Sequence, residues 1–124
     1  MRLALDFDDQ VNLIRAYGDG HVIINADTRL ERSFILAPTR LQEHWQPQSF
    51  DELAAEHFAG LLDFKPEMVL LGTGARQRFP HPSLIRPLLE AGIAVESMDT
   101  AAACRTYNIV VAEGRTVIAA LLMI

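Results

Sequence analysis

The octapeptide Glu67-Met68-Val69-Leu70-Leu71-Gly72-Thr73-Gly74 constrains this chain more than any other stretch. Four consecutive apolar residues without polar alternation read as a strand buried on both faces, the pattern of a parallel strand. The run stops in two glycines around a threonine, where the backbone is free to take positive φ or to let another segment approach closely. Two more apolar runs follow, each reached through a helical pattern. The second half of the chain therefore reads as a β-α-β-α-β unit with Gly72–Gly74 at its mouth.

The first of these helices begins near Pro82, a residue suited to the first helical position, and ends at Gly92, a natural C′ residue. Pro87 lies inside it and removes one backbone donor, so a kink or a tightened first turn is expected. Ile93-Ala94-Val95 then reads as a short buried strand. Asp99 is the N-cap candidate of the next helix. Along that helix Ala103, Tyr107, Val110 and Val111 share one face, while Arg105 and Asn108 share another. Gly114 ends it, and Arg115 through Leu122 is apolar enough for a central strand.

The first half has a different texture. Asn12–Tyr17 and His21–Asn25 flank Gly18-Asp19-Gly20, a strong hairpin signal. A turn around Ala26-Asp27-Thr28 leads to the strand Ser33–Ala37, which Pro38 stops. Leu41–Trp45 mixes polar and apolar residues and reads as an edge, with Trp45 as a packing lid. Ser49-Phe50-Asp51-Glu52 has the form of a capping box. It predicts a helix to about Leu62 that buries Phe50, Leu53, Ala54, Phe58, Leu61 and Leu62, with His57 packed at the margin of that face.

At 124 residues the chain reads as one domain spanning 1–124. Its net charge of −5 argues against nucleic acid or an anionic membrane as the main partner. The longest apolar run, Val117–Ile124, has the length of a strand and not of a membrane span. The N-terminus meets acidic residues within one turn, unlike a signal or transit peptide. Cys104 is the only cysteine, which excludes an internal disulfide and fits a reducing, cytoplasmic setting. Lys65 is the only lysine. For the Asp6-Phe7-Asp8-Asp9 cluster to be that of a magnesium-dependent phosphatase, a downstream Ser/Thr and a lysine would be needed at strand ends. Lys65 lies just before the Met68 strand rather than after one, and the cluster reads as an acidic, solvated lead-in. His21, His44, His57 and His81 are scattered without metal-ligand spacing, so no metal and no cofactor is expected.

Ligands of open α/β sheets collect at the carboxyl ends of parallel strands. Here that rule assembles a rim from Gly72, Thr73, Gly74, Arg76, Asp99 and Thr100, to which the third helix adds Tyr107 or Asn108 if its face turns that way. The loop Ala75–Pro82 carries Arg76 and Arg78, which either solvate freely or offer guanidinium forks to an anion. Neither Gly-x-x-x-x-Gly-Lys nor Gly-x-Gly-x-x-Gly is present. No nucleophile has a neighbouring base, so no catalytic residue is assigned. Asp99 is fully explained as a cap. Asn108 weakens a helix interior and needs a reason, which a hydrogen bond to backbone supplies.

Several of these segments together resemble one domain-of-unknown-function family. They are Asn12 through Gly20, Leu71-Gly72-Thr73-Gly74, Gly92-Ile93-Ala94-Val95-Glu96, Met98-Asp99-Thr100, Arg105-Thr106-Tyr107-Asn108 and Glu113-Gly114-Arg115. The family comprises bacterial and archaeal hypothetical proteins, the adipogenesis-associated domain protein and a mitochondrial respiratory complex I assembly factor. The likeness runs in order from Leu3 to Ile124, without the targeting extension of the mitochondrial relative. It implies an α/β fold of α+β character: a mixed sheet, N-terminal antiparallel hairpins joined to the β-α-β-α-β parallel part, and helices packed on the sheet. It implies no established catalytic activity. The leading expectation is a non-enzymatic interaction or assembly module, monomeric or homodimeric, whose partner is another protein. The alternative is a small-molecule (anion) binding protein or enzyme using the rim at Gly72–Gly74 and Asp99–Thr100.

Overall fold

The computed structural model describes residues 11–124; the acidic Asp6–Asp9 cluster lies outside them. Among the described residues eight strands form two sheets, accompanied by three α-helices, as the mixed architecture above anticipates. The smaller sheet is the antiparallel meander β1 (Ile14–Gly18), β2 (His21–Ile24) and β3 (Thr28–Leu30). The larger has the order β5-β4-β8-β6-β7, from β4 (Phe34–Ala37), β5 (Arg40–Gln42), β6 (Met68–Gly72), β7 (Ala94–Met98) and β8 (Val117–Leu121). In it β6 runs parallel to both neighbours, β7 and β8, while β4 is antiparallel to β8 and β5.

The period of two explains how β6 and β8 serve two cores. Met68 and Leu70 of β6, with Val117, Ala119 and Leu121 of β8, face one core together with Ile14, Val22, Ile24 and Leu30 of the small sheet. Ala103, Tyr107 and Val110 of α3 (Thr100–Ala112) complete it. Val69 and Leu71, with Ile118 and Ala120, face the other core, built with Trp45, Phe58, Leu61 and Leu88. Two buried faces are why these strands read as continuous apolar runs. The central position of β8 agrees with its composition.

Four local expectations need correction. No single helix covers 49–62: a 3-10 turn at Phe50–Glu52 is followed by α1 (Ala55–Ala59) and a second 3-10 stretch at Gly60–Phe64. Leu53 and Ala54 between them are extended, which lets the Leu53 side chain turn into the core. Ser49 makes no side-chain cap; the Glu52 carboxylate instead accepts from the Gln48 amide at 3.0 Å. His57, expected only to pack, accepts from the Ala54 amide at 3.0 Å and so caps α1. The last correction is β7, which is an edge strand with Ala94 and Glu96 exposed and not a buried one.

β3 was hidden by its brevity, because three residues are too few to show alternation. Trp45 lies off β5, buried at the edges of the Phe58 and His57 rings. Helix α2 (Pro82–Glu90) starts at Pro82 as expected and continues through Pro87.

Candidate functional site

The carboxyl end of β6 lies between the ends of β7 and β8 and is bonded to the start of α3, so Gly72–Gly74 and Met98–Thr100 do meet. The Thr73 amide donates to the Met98 carbonyl at 2.9 Å, and the Thr100 amide donates to the Gly74 carbonyl at 2.9 Å. The Thr100 hydroxyl accepts from the Gly74 amide at 2.9 Å and donates to the Leu122 carbonyl at 2.6 Å. The Leu122 amide returns to the Gly72 carbonyl at 3.0 Å. One fully buried hydroxyl thus ties the ends of β6 and β8 to the first turn of α3.

The glycines have separate reasons. Gly72 has ordinary φ but no room: a Cβ there would stand 2.9 Å from Thr100 Oγ1 and 3.2 Å from its Cα. Gly74 has room but takes φ +99, a conformation other residues seldom adopt.

Thr73 and Asp99 are similarly engaged. The Thr73 hydroxyl lies 2.6 Å from the Arg76 carbonyl and 3.1 Å from the Met98 carbonyl, and accepts from the Arg78 amide at 3.2 Å. It therefore shapes the loop that follows β6. The Asp99 carboxylate accepts from the Ala102 amide at 2.8 Å, the geometry of an N-cap.

Tyr107 and Asn108 do not reach this rim. The buried Tyr107 hydroxyl donates to the Asn12 carbonyl at 3.0 Å, and burial pushes its pKa above the usual phenol range. The Asn108 amide binds the backbone of Ile14 on both sides. Both residues attach α3 to the small sheet. Cys104, on the same helix, is buried and its thiol is pushed up from 9.0 to about 12 by desolvation, with Arg105 opposing. It is not poised as a nucleophile.

What remains open at the rim is a shallow cleft of about 240 Å³ lined by Gln48, Ser49, Phe50, Thr73, Arg76 and Arg78, among others. The Arg78 guanidinium sits 4.1 Å over the Phe50 ring and 3.4 Å from Asp51 Oδ1. Sequence reasoning missed the Gln48–Phe50 wall, since only the tertiary fold brings it to the β6 loop. A larger cavity of about 450 Å³ lies beyond the opposite end of β8, beside the Arg40–Asp63 and Arg115–Glu67 pairs. His81 and Ser83 touch at 2.8 Å, but the same ring nitrogen takes the Ser83 amide at 3.1 Å, which makes the contact a surface cap of α2. Among the described residues no three His, Cys, Asp or Glu side chains gather to hold a metal ion, and no helix is long and apolar enough to cross a membrane.

Comparison with known proteins gives a consistent set of likenesses. The family model described as protein of unknown function (DUF498/DUF598) matches residues 14–122. The chain is 35% identical over 112 residues to NADH dehydrogenase (ubiquinone) 1 alpha subcomplex assembly factor 3 of Danio rerio, covering 89% of this chain and 63% of that protein. The alignment thus spans less than two thirds of the assembly factor's own length. A 13 kDa major membrane protein of Francisella tularensis is 31% identical over 104 residues, covering 83% of this chain and 84% of that one. A crystal structure of a Bordetella parapertussis protein superposes with a TM-score of 0.84 at 43% identity, covering 92% of this chain and 97% of that one.

Proposed function

This chain belongs to the DUF498/DUF598 family of proteins of unknown function, and from that premise we propose that it is a non-enzymatic interaction module engaging another protein during assembly of a larger complex. The observation that carries this reading is the likeness of nearly the whole chain to an assembly factor. The geometry supports it from the other side. Thr73, Thr100 and Asp99, the groups best placed for chemistry at the rim, are bonded to the chain's own backbone. A site whose polar groups hold the fold has little left to bind or activate a substrate.

In this reading the chain acts as a single domain in the cytoplasm, monomeric or homodimeric when alone. The alternative, a small anion or substrate held at Gly72–Gly74 and Asp99–Thr100, has less support because the hydroxyls there are engaged. The deciding experiment is affinity capture of the tagged chain at native expression, with stoichiometry measured by quantitative mass spectrometry. A protein recovered in fixed ratio is the expected result. Recovery of the chain alone, with phosphate or small carboxylates shifting the amides of residues 72–78 and 98–100, would replace this reading by the alternative.

A further inference from the structure

We propose that the loop 75–81, with the cleft it forms against Ser49 and Phe50, docks an acidic and partly apolar segment of a partner protein. The inference rests on the reading of the chain as an interaction module and adds the surface and the chemistry it recognises.

The loop presents Arg76, Arg78 and Phe79 within four consecutive positions. Phe79 is 74% exposed, the most solvent-facing of the large apolar side chains among the described residues. Arginine and aromatic residues on one small surface are the composition of interface hot spots. Arg76 takes part in none of the ion pairs formed among the described residues. Among the described residues Arg78 pairs only with Asp51, whose side chain is 84% exposed, and such a pair is readily exchanged for another carboxylate. Its place over the Phe50 ring holds the guanidinium at the cleft while leaving it able to bind an acid.

The loop is also fixed in advance. The Thr73 hydroxyl holds Arg76 and Arg78 by their backbones, the Gln77 side chain donates to the Ser97 carbonyl at 3.1 Å, and Pro80 and Pro82 stiffen the exit into α2. Ordering it on binding therefore costs little, which favours affinity. The cleft, at about 240 Å³ and widely open, is smaller than the roughly 300–1,000 Å³ of small-molecule sites. It suits one or two side chains of a longer segment. One guanidinium without an ion pair among the described residues and a second held only by an exposed, exchangeable carboxylate, next to an exposed phenyl ring, select carboxylates beside apolar residues.

The test is an amide chemical-shift titration of the whole chain with a blocked octapeptide alternating glutamate and leucine, its lysine–leucine counterpart, and inorganic phosphate. Saturable shifts at 74–81 and 49–51 with the acidic peptide alone are expected. Arg76→Glu/Arg78→Glu should weaken binding at least about tenfold and Phe79→Ala measurably, while the distant Arg29→Glu changes nothing. The proposal is overturned by no saturation, by equal shifts from phosphate alone, by unchanged affinity in the double variant, or by self-association through this loop. Native capture separates the two levels. A partner held equally by wild type and the double variant overturns the docking surface and leaves the interaction reading standing. Saturable peptide binding with no partner captured by wild type overturns the interaction reading instead.

Discussion

The side-chain amide of Asn108 binds both backbone polar groups of Ile14: Oδ1 accepts from the amide at 2.9 Å and Nδ2 donates to the carbonyl at 2.7 Å. Ile14 opens β1, an outer strand of its sheet, at the point where the β1–β2 register shifts. Asn108 therefore stands in for a missing neighbouring strand, attaching the meander to α3. Asn108→Ala should destabilise by about 1 to 3 kcal/mol in urea unfolding, because two partly buried backbone groups lose their partners. Asn108→Asp should cost more, since it sets a carboxylate against the Ile14 carbonyl.

The glycines of the β6 turn fail for different reasons, and a substitution series separates them. Gly72→Ala drives a methyl into Thr100 and Leu121, with an expected cost of about 1 to 3 kcal/mol. Gly74→Ala meets only the Met123 carbonyl at 3.4 Å but must hold φ +99, at a similar cost of about 1 to 3 kcal/mol. Gly60→Ala, helical and with open space around it, should stabilise by about 0.4 to 1 kcal/mol. A thermal-melt ranking with Gly60→Ala lowest would contradict this division.

Thr100→Val keeps the shape of the side chain and removes one hydroxyl. The buried Gly74 amide and Leu122 carbonyl then lose their partner, and about 1 to 3 kcal/mol of stability should go with it. Hydrogen exchange at the Gly74 amide should accelerate in the same variant. Unchanged exchange there would mean that the hydroxyl does not carry the junction.

Cys104 makes stability depend on alkaline pH. Its folded pKa is raised from 9.0 to about 12, so the folded thiol keeps a proton that the unfolded thiol releases. The contribution is complete below pH 9, declines as pH rises from 9.0 and is lost through about 12. Its greatest slope is about 1.4 kcal/mol per pH unit. Cys104→Ala should flatten that part of the curve; an equally steep decline in the variant would assign the effect elsewhere. Native Cys104 should also resist thiol reagents until the protein unfolds.

The second half of the fold was legible because its signals are strong and local. An apolar run ending in Gly-Thr-Gly, an aspartate before a helical pattern and a proline at a helix start each carry their own physical reason. All three stand in the structure. The 49–62 segment misled because a capping-box pattern and an amphipathic face describe a helix equally well whether or not the chain must turn to bury Leu53 and Phe58. The rim was legible as a meeting of segments but not as a closed one. That Thr73 and Thr100 spend their hydroxyls on backbone depends on distances only the tertiary fold defines. The Gln48–Phe50 wall and the two carbonyl contacts of α3 to the hairpin likewise join positions far apart in the chain.

The most direct test of the chain as an interaction module is its apparent mass in native extract, by size-exclusion chromatography, against the purified chain under the same conditions. The purified protein should elute at the mass of its own monomer, 13.8 kDa, or a homodimer. In extract it should elute well above that reference, as part of a complex, and return to it when Arg76→Glu/Arg78→Glu is introduced. Coincident elution of the wild-type chain in extract and in purified form would contradict the account.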